Sequence, residues 1–231
     1  MLRAMSRKLP PQYAGWEAHE RAFRRMSTAE LVQEVQDGPP DRRLAALSVI
    51  DISDVSHETI EDWIRTLPDA EANELAGAIP AQRPHSNCSE DLHWVEVAAL
   101  GYTNRRLPTF LVMLFSSLEA AEARGCPEAP SAWERTAGWL AEVYDTLADD
   151  DDLDAMEDIS LFVFENYLDR DAVFEVFGDL VGRHRELALN LSANPHKYLG
   201  DLDEARQKVA LEEAERGGGL PFWDSWSALN G

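Results

Sequence analysis

The sequence predicts an all-α protein, an irregular multi-helix bundle of roughly ten helices. Three observations carry that prediction. Apolar residues recur at three- and four-residue spacing along most of the chain. Capping residues, prolines and glycines punctuate the pattern at helix-sized intervals. No Asn-Gly or Asp-Gly hairpin signal lies between alternating apolar segments, which disfavours a sheet.

The elements follow in order. Ser27-Thr28-Ala29-Glu30 has the form of a capping box and opens a helix with Leu31, Val32 and Val35 on one stripe, stopped by Gly38-Pro39-Pro40. Asp41 opens the next, carrying Leu44, Leu47 and Ile50. Ser56 precedes a third with Ile60, Trp63, Ile64 and Leu67, closed by Pro68. Asp69 starts a fourth that ends before Pro80. Short helices separated by prolines could pair as hairpins in the manner of an α-solenoid, although no repeated consensus residues support a true repeat.

Residues 80–89 read as a loop and a possible sub-boundary. Ser89 is placed to cap a helix that ends at Leu100, with Gly101 in the C′ position. Pro108 fits the first turn of a long helix with Phe110, Leu111, Leu114, Phe115 and Leu118 inward, ended by Gly125. Ser131 is expected to cap the cleanest helix, where Trp133, Ala137, Leu140, Tyr144 and Leu147 share a face. Met156, Ile159, Val163 and Tyr167 form another stripe. Ile159–Phe164 alone would suit a buried strand, but helical pattern flanks it on both sides, so it is kept helical. Asp169 caps a helix bearing Val173, Phe174, Phe177, Leu180 and Val181. Asn194-Pro195 breaks the chain, and Asp201 with Glu204 starts the last helix, running to about Arg216.

Domain organisation follows from these signals: a basic segment over 1–12, a single helical domain over 13–216, and a tail over 217–231. In the tail, Gly217-Gly218-Gly219 reads as a hinge and tethers the aromatics Phe222, Trp223 and Trp226. These aromatics would be costly to leave in water; they suit either a groove of the same chain or a partner's surface.

Charge is the strongest functional signal. The chain has 43 acidic and 21 basic residues, a formal net charge of -22. Its first 25 residues are nonetheless basic, through Arg3, Arg7, Lys8, Arg21, Arg24 and Arg25. A field of this sign repels nucleic acid and anionic lipid and attracts cationic partners. Only three of the basic residues are lysines, and low Lys with abundant Asp, Glu and Ala also suits a salt-adapted or GC-rich source; the uneven spacing of the acids argues against that explanation. The apolar stretch Phe110–Phe115 is far too short to span a membrane. Two cysteines, Cys88 and Cys126, are too few for a disulfide framework, which points to a reducing, cytoplasmic setting.

Asp149-Asp150-Asp151-Asp152-Leu153-Asp154, with Asp158, places acids at positions 1, 3, 5 and 9 of an EF-hand-like loop. Ala155 stands where the loop needs Gly and Leu161 where it needs Glu, so a calcium site is not assigned. His85, Cys88, His93 and Glu96 offer zinc-type donors at no standard spacing, and Cys88 would need a partner base to be a nucleophile. No phosphate-binding loop, nucleophile elbow or dinucleotide fingerprint occurs, so no cofactor and no catalytic residue is assigned.

The expectation is therefore a non-enzymatic protein that uses an acidic surface to engage a basic protein such as a nuclease, toxin or DNA-binding protein, as an inhibitor, immunity-type protein or nucleic-acid mimic. Asp149, Asp150, Asp151, Asp152, Asp154 and Asp158 are the candidate binding residues, together with Phe222, Trp223 and Trp226. The alternatives are a metal-dependent or thiol enzyme centred on residues 85–96, or an assembly subunit docking through its aromatic tail.

Overall fold

The structure, a computed structural model, describes residues 9–81, 87–193, 195–200 and 202–218. These are helical almost throughout, and no strand occurs among them. The chain divides into two compact units, Met1–Arg124 and Gly125–Gly231, so the division falls at Arg124–Gly125 and not in the 80–89 segment.

The N-terminal unit contains α1 (Trp16–Phe23), α2 (Thr28–Asp37), α3 (Pro40–Leu47), α4 (His57–Thr66), α5 (Asp69–Ala81), α6 (Cys88–Arg105) and α7 (Pro108–Ala123). Helix α1 packs on α3, α3 on α5 and α5 on α7, while α2 lies against α3, α4 against α5 and α6 against α7. Successive hairpins are thus stacked, the layout by which solenoids build a continuous core from units that cannot bury a face alone. Helix α7 is enclosed on more than one side: Phe110, Leu111, Met113, Leu114, Phe115, Ser117, Leu118 and Ala121 are all buried.

Local signals govern most helix starts. The Ser27 hydroxyl accepts from Glu30 N, and Glu30 Oε2 accepts from Ser27 N at 2.8 Å, completing the capping box. Ser56 caps α4 by accepting from Thr59 N, and Pro108 occupies the first turn of α7. Other starts shift by a few residues. Asp41 lies inside α3, whose first residue is Pro40, and Pro80 falls within the last turn of α5.

The end of α6 departs furthest from expectation. Asn87, not Ser89, is its cap, forming a capping box with Glu90, and the helix runs through Gly101 to Arg105. Gly101 is buried in the helix because Phe110 of α7 lies against it: a Cβ there would sit 2.5 Å from Phe110 Cδ1. The glycine serves close helix approach, not termination; Arg106 supplies the left-handed C-cap instead, at φ 53°.

Two buried carboxylates lock this unit. Glu71 is fully buried; it accepts from Arg43 Nε at 2.8 Å, from Arg43 Nη2 at 3.0 Å and from the Tyr13 hydroxyl at 3.0 Å. Burial first, and the Glu71 carboxylate with it, pushes the Tyr13 hydroxyl up from its ordinary value. Asp91, also fully buried, accepts from Arg124 Nε at 2.8 Å.

The C-terminal unit begins with α8 (Ala129–Asp149) and α9 (Leu153–Ile159), which passes through a π-helical turn, Ser160–Phe164, into α10 (Glu165–Tyr167). Then come α11 (Asp171–Arg183), α12 (Arg185–Ala193), α13 (Pro195–Leu199) and α14 (Glu204–Gly218). The segment 159–164 is helical as expected, although wound more loosely. Cap residues again move: Ser131 lies within the first turn of α8 behind Glu128, and Arg170 precedes α11 where Asp169 was expected to. Asp201 lies outside the described residues, and Asp203 caps α14 by accepting from Arg206 N at 2.9 Å. Gly217 and Gly218 belong to the last turn of α14, so they extend a helix where a hinge was expected.

Packing in this unit follows the apolar stripes. Helix α11 lies against α8, α12 and α14. An aromatic column runs through the core: Tyr144 against Phe164 (centroids 6.1 Å), Phe164 edge-on to Phe177 (5.0 Å) and Phe177 stacked on Tyr198 (6.2 Å). Burial drives the hydroxyls of Tyr144 and Tyr198 up to about 12, so both stay neutral donors at ordinary pH.

Candidate functional site

The two units differ sharply in charge. The C-terminal unit holds 24 of the acids and 8 of the bases, a net -16, and the N-terminal unit carries the remaining -6. The four acids of α8 lie on its outer side. At 100° per residue, Glu134, Glu142, Asp145 and Asp149 fall within an arc of about 80° centred on Gly138. Trp133, Thr136, Ala137, Leu140, Val143, Tyr144 and Leu147 occupy the opposite side and are buried. Amphipathicity therefore forces the acids of α8 onto one solvent-facing stripe.

Arg183 and His184 engage one member of that stripe. Arg183 Nη1 lies 2.7 Å from Asp145 Oδ1, and His184 Nε2 is also 2.7 Å from that oxygen. Burial pushes the Asp145 carboxyl up, but the hydrogen bonds from Arg183 and His184 outweigh it, and the group sits below the usual carboxylate range. Glu134, Glu142 and Asp149 are exposed and take part in no ion pair among the described residues.

Further acids follow in sequence at the α8–α9 corner. Asp149, Asp150, Asp151 and Asp154 are exposed, while Asp152 and Asp158 are half-buried. Asp150 N donates to Thr146 O at 3.0 Å and Asp152 N to Leu147 O at 2.9 Å, closing α8 tightly. Asp151 adopts φ 59°, a left-handed conformation that a short polar side chain tolerates. The Asp152 side chain turns inward to cap α9 through Ala155 N at 3.2 Å. Of the six candidate acids here, four are exposed and one is spent on a helix start.

The 85–96 segment does not assemble a centre. His85 lies outside the described residues. Cys88 and Cys126 are both disulfide-bonded, and no free cysteine remains. That removes the thiolate a zinc site or a nucleophile would need, and with it the ground for placing the chain in a reducing compartment. Glu96 is exposed, and His93 turns to α4. Among the described residues no three His, Cys, Asp or Glu side chains are placed to hold a metal ion. Phe222, Trp223 and Trp226, like Arg3, Arg7 and Lys8, lie outside the described residues.

What the sequence did not signal is the seam between α4 and α6. His57 stacks on His93 (centroids 5.1 Å, interplanar 19°), Trp94 meets His57 edge-on at 5.1 Å, and His93 Nε2 lies 3.1 Å from Glu61 Oε1. Beyond this cluster the helices border a cleft of about 540 Å³ with Ile64, Val97 and Leu100 among its apolar lining and Glu61, Arg65 and Arg105 among its polar lining. Its charges are largely engaged already: Arg65 with Glu61 at 3.3 Å, and Arg105 with Asp69 at 2.7 Å and the Arg65 carbonyl at 3.0 Å. No helix among the described residues is long and apolar enough to cross a membrane. Comparison of the chain with protein-family models, with curated proteins and with solved structures finds no match.

Proposed function

We propose that this is a non-enzymatic binding protein whose C-terminal unit engages a basic protein through the acidic face of α8 and the α8–α9 corner. The observation that carries the proposal is the gathering of Glu134, Glu142 and Asp149 on one exposed stripe of α8 without ion pairs among the described residues, followed by the exposed Asp151 and Asp154 at the turn into α9. Carboxylates held on a rigid helix attract a cationic surface over about a Debye length, and the gain is mostly in encounter rate and specificity. An inhibitor or immunity-type protein covering a basic toxin or nuclease, or a mimic of a phosphate row, would use such a face. The stacked hairpins of the N-terminal unit are of a kind that serves protein binding elsewhere, which agrees with this reading.

The test is affinity capture followed by identification of what is retained, using three full-length proteins. One is the native chain, one carries E134Q, E142Q, D149N, D151N and D154N, and one carries E17Q, E58Q, D62N, E96Q and E119Q as a charge-matched control on the N-terminal unit. The expected result is a basic protein held by the native chain and the control but lost from the face variant. Its association rate should fall at least about fivefold between 50 and 200 mM salt. Equal retention by the face variant, or binding indifferent to salt, would overturn the proposal.

A further inference from the structure

Helix α4 meets α6 over a short stretch, joined by a pair of imidazoles and by the bond from Arg105 to the Arg65 carbonyl. His57, the first residue of α4, stacks on His93 of α6; Trp94 lies edge-on to His57 and tilted at 60° against His93, both at 5.1 Å. His93 has a carboxylate within ion-pair distance, Glu61 at 3.1 Å, whereas His57 has none within 4.0 Å among the described residues. One proton on the pair therefore has a counter-charge, and a second has only the facing ring. The other charged groups of α4 are Glu58, Asp62 and Arg65, those of the first half of α6 are Glu90, Asp91 and Glu96, and those of α5, which packs on α4, are Asp69, Glu71 and Glu74; Arg65 is held by Glu61, Asp69 by Arg105, Glu71 by Arg43 and Asp91 by Arg124. Imidazole is the side-chain type whose ordinary change of charge falls between about pH 5 and 8.

We propose that the α4–α6 seam is a proton-sensitive clasp: with at most one proton on the His57–His93 pair the seam is closed, and charging both rings releases α4 from α6 and widens the cleft that Glu61 borders. Like charges stacked ring on ring repel, and across the seam the bond from Arg105 to the Arg65 carbonyl and the contact of Trp94 with His57 oppose them. The device is independent of the acidic face of the other unit, so it stands or falls separately from the proposed partner.

The experiment is hydrogen exchange of the full-length chain, read on peptides spanning 57–67 and, as an internal reference, on α7. It compares the native protein with H57F, which keeps a stacking ring that cannot be charged. At pH 7.5 the two proteins should exchange α4 alike. At pH 5.5 the native α4 should exchange about tenfold faster than that of H57F, with α7 unchanged. E61Q, which removes the counter-charge, should bring the release to higher pH. If H57F does not fold, the native protein alone decides: its α4 must lose protection relative to α7 on acidification. An α4-to-α7 ratio that stays constant with pH, or release that persists in H57F, overturns the proposal.

Discussion

Replacing Glu71 by leucine tests whether a buried ion-pair network, and not apolar packing alone, holds the N-terminal unit together. The carboxylate has no solvent exposure and accepts three hydrogen bonds, two from Arg43 and one from Tyr13, while the Arg43 side chain retains 22% exposure. Charge-assisted bonds contribute about 1.5–3 kcal/mol each, so a naive sum would run from about 5 to 9 kcal/mol. That overcounts, because Arg43 keeps its bond to the Gly38 carbonyl at 2.9 Å and can take up water on its exposed side. Breaking a buried pair by removing one partner destabilises by about 3–5 kcal/mol, and that is the expected loss. Urea denaturation followed by circular dichroism measures it, and thermal melting should show a fall of roughly 10–20 °C. The double variant Glu71→Leu with Arg43→Met should recover most of the loss, since an apolar pair of similar volume is often neutral. A single variant within about 1 kcal/mol of the native protein, or a double variant no better than the single, would refute the reasoning.

Other perturbations separate space, charge and redox state. Gly138→Ala should stabilise the protein by about 0.5–1 kcal/mol, because a Cβ there meets nothing within 4 Å and alanine is the better helix former. Gly101→Ala should destabilise it by about 1–3 kcal/mol through collision with Phe110; equal effects in melts of the two variants would contradict the packing described. Burial, and Glu20 nearby, push the Glu74 carboxyl up, so its ionisation in the folded state opposes stability as pH rises past the ordinary carboxylate range. Glu74→Gln should therefore be more stable than the native chain at pH 7 and lose that advantage near pH 4. Asp145 works in the opposite sense: it is held low, so its contribution is present above about pH 4 and lost as pH falls through its depressed value, a loss that Asp145→Asn should not show. Thiol titration of the unreduced chain in guanidinium should find no free cysteine; two titratable thiols would restore the free-thiol expectation.

Much of the fold was legible in the residues because helix starts and faces are local events. Ser27 with Glu30, Ser56, Pro108 and the Trp133-to-Leu147 stripe each act within a few positions, and each does in the structure what its spacing implies. Errors arose where two signals compete over short range. Gly101 carries the composition of a helix end, yet Phe110 needs the room a missing Cβ leaves, and burial of that ring outweighs a glycine's helix penalty.

The sequence by itself determined the helical class, the negative charge and its bias toward the second half, since these depend only on what residues are present and how they repeat. Tertiary structure alone decided that Glu71 and Asp91 are buried locks and not surface acids, that Cys88 and Cys126 are oxidised, and that His57 and His93 share a seam. Glu71 with Arg43, Asp91 with Arg124 and His57 with His93 are meetings of groups remote along the chain. Periodicity and capping, which reach no further than a few helical turns, carry no record of which distant side chain will arrive opposite.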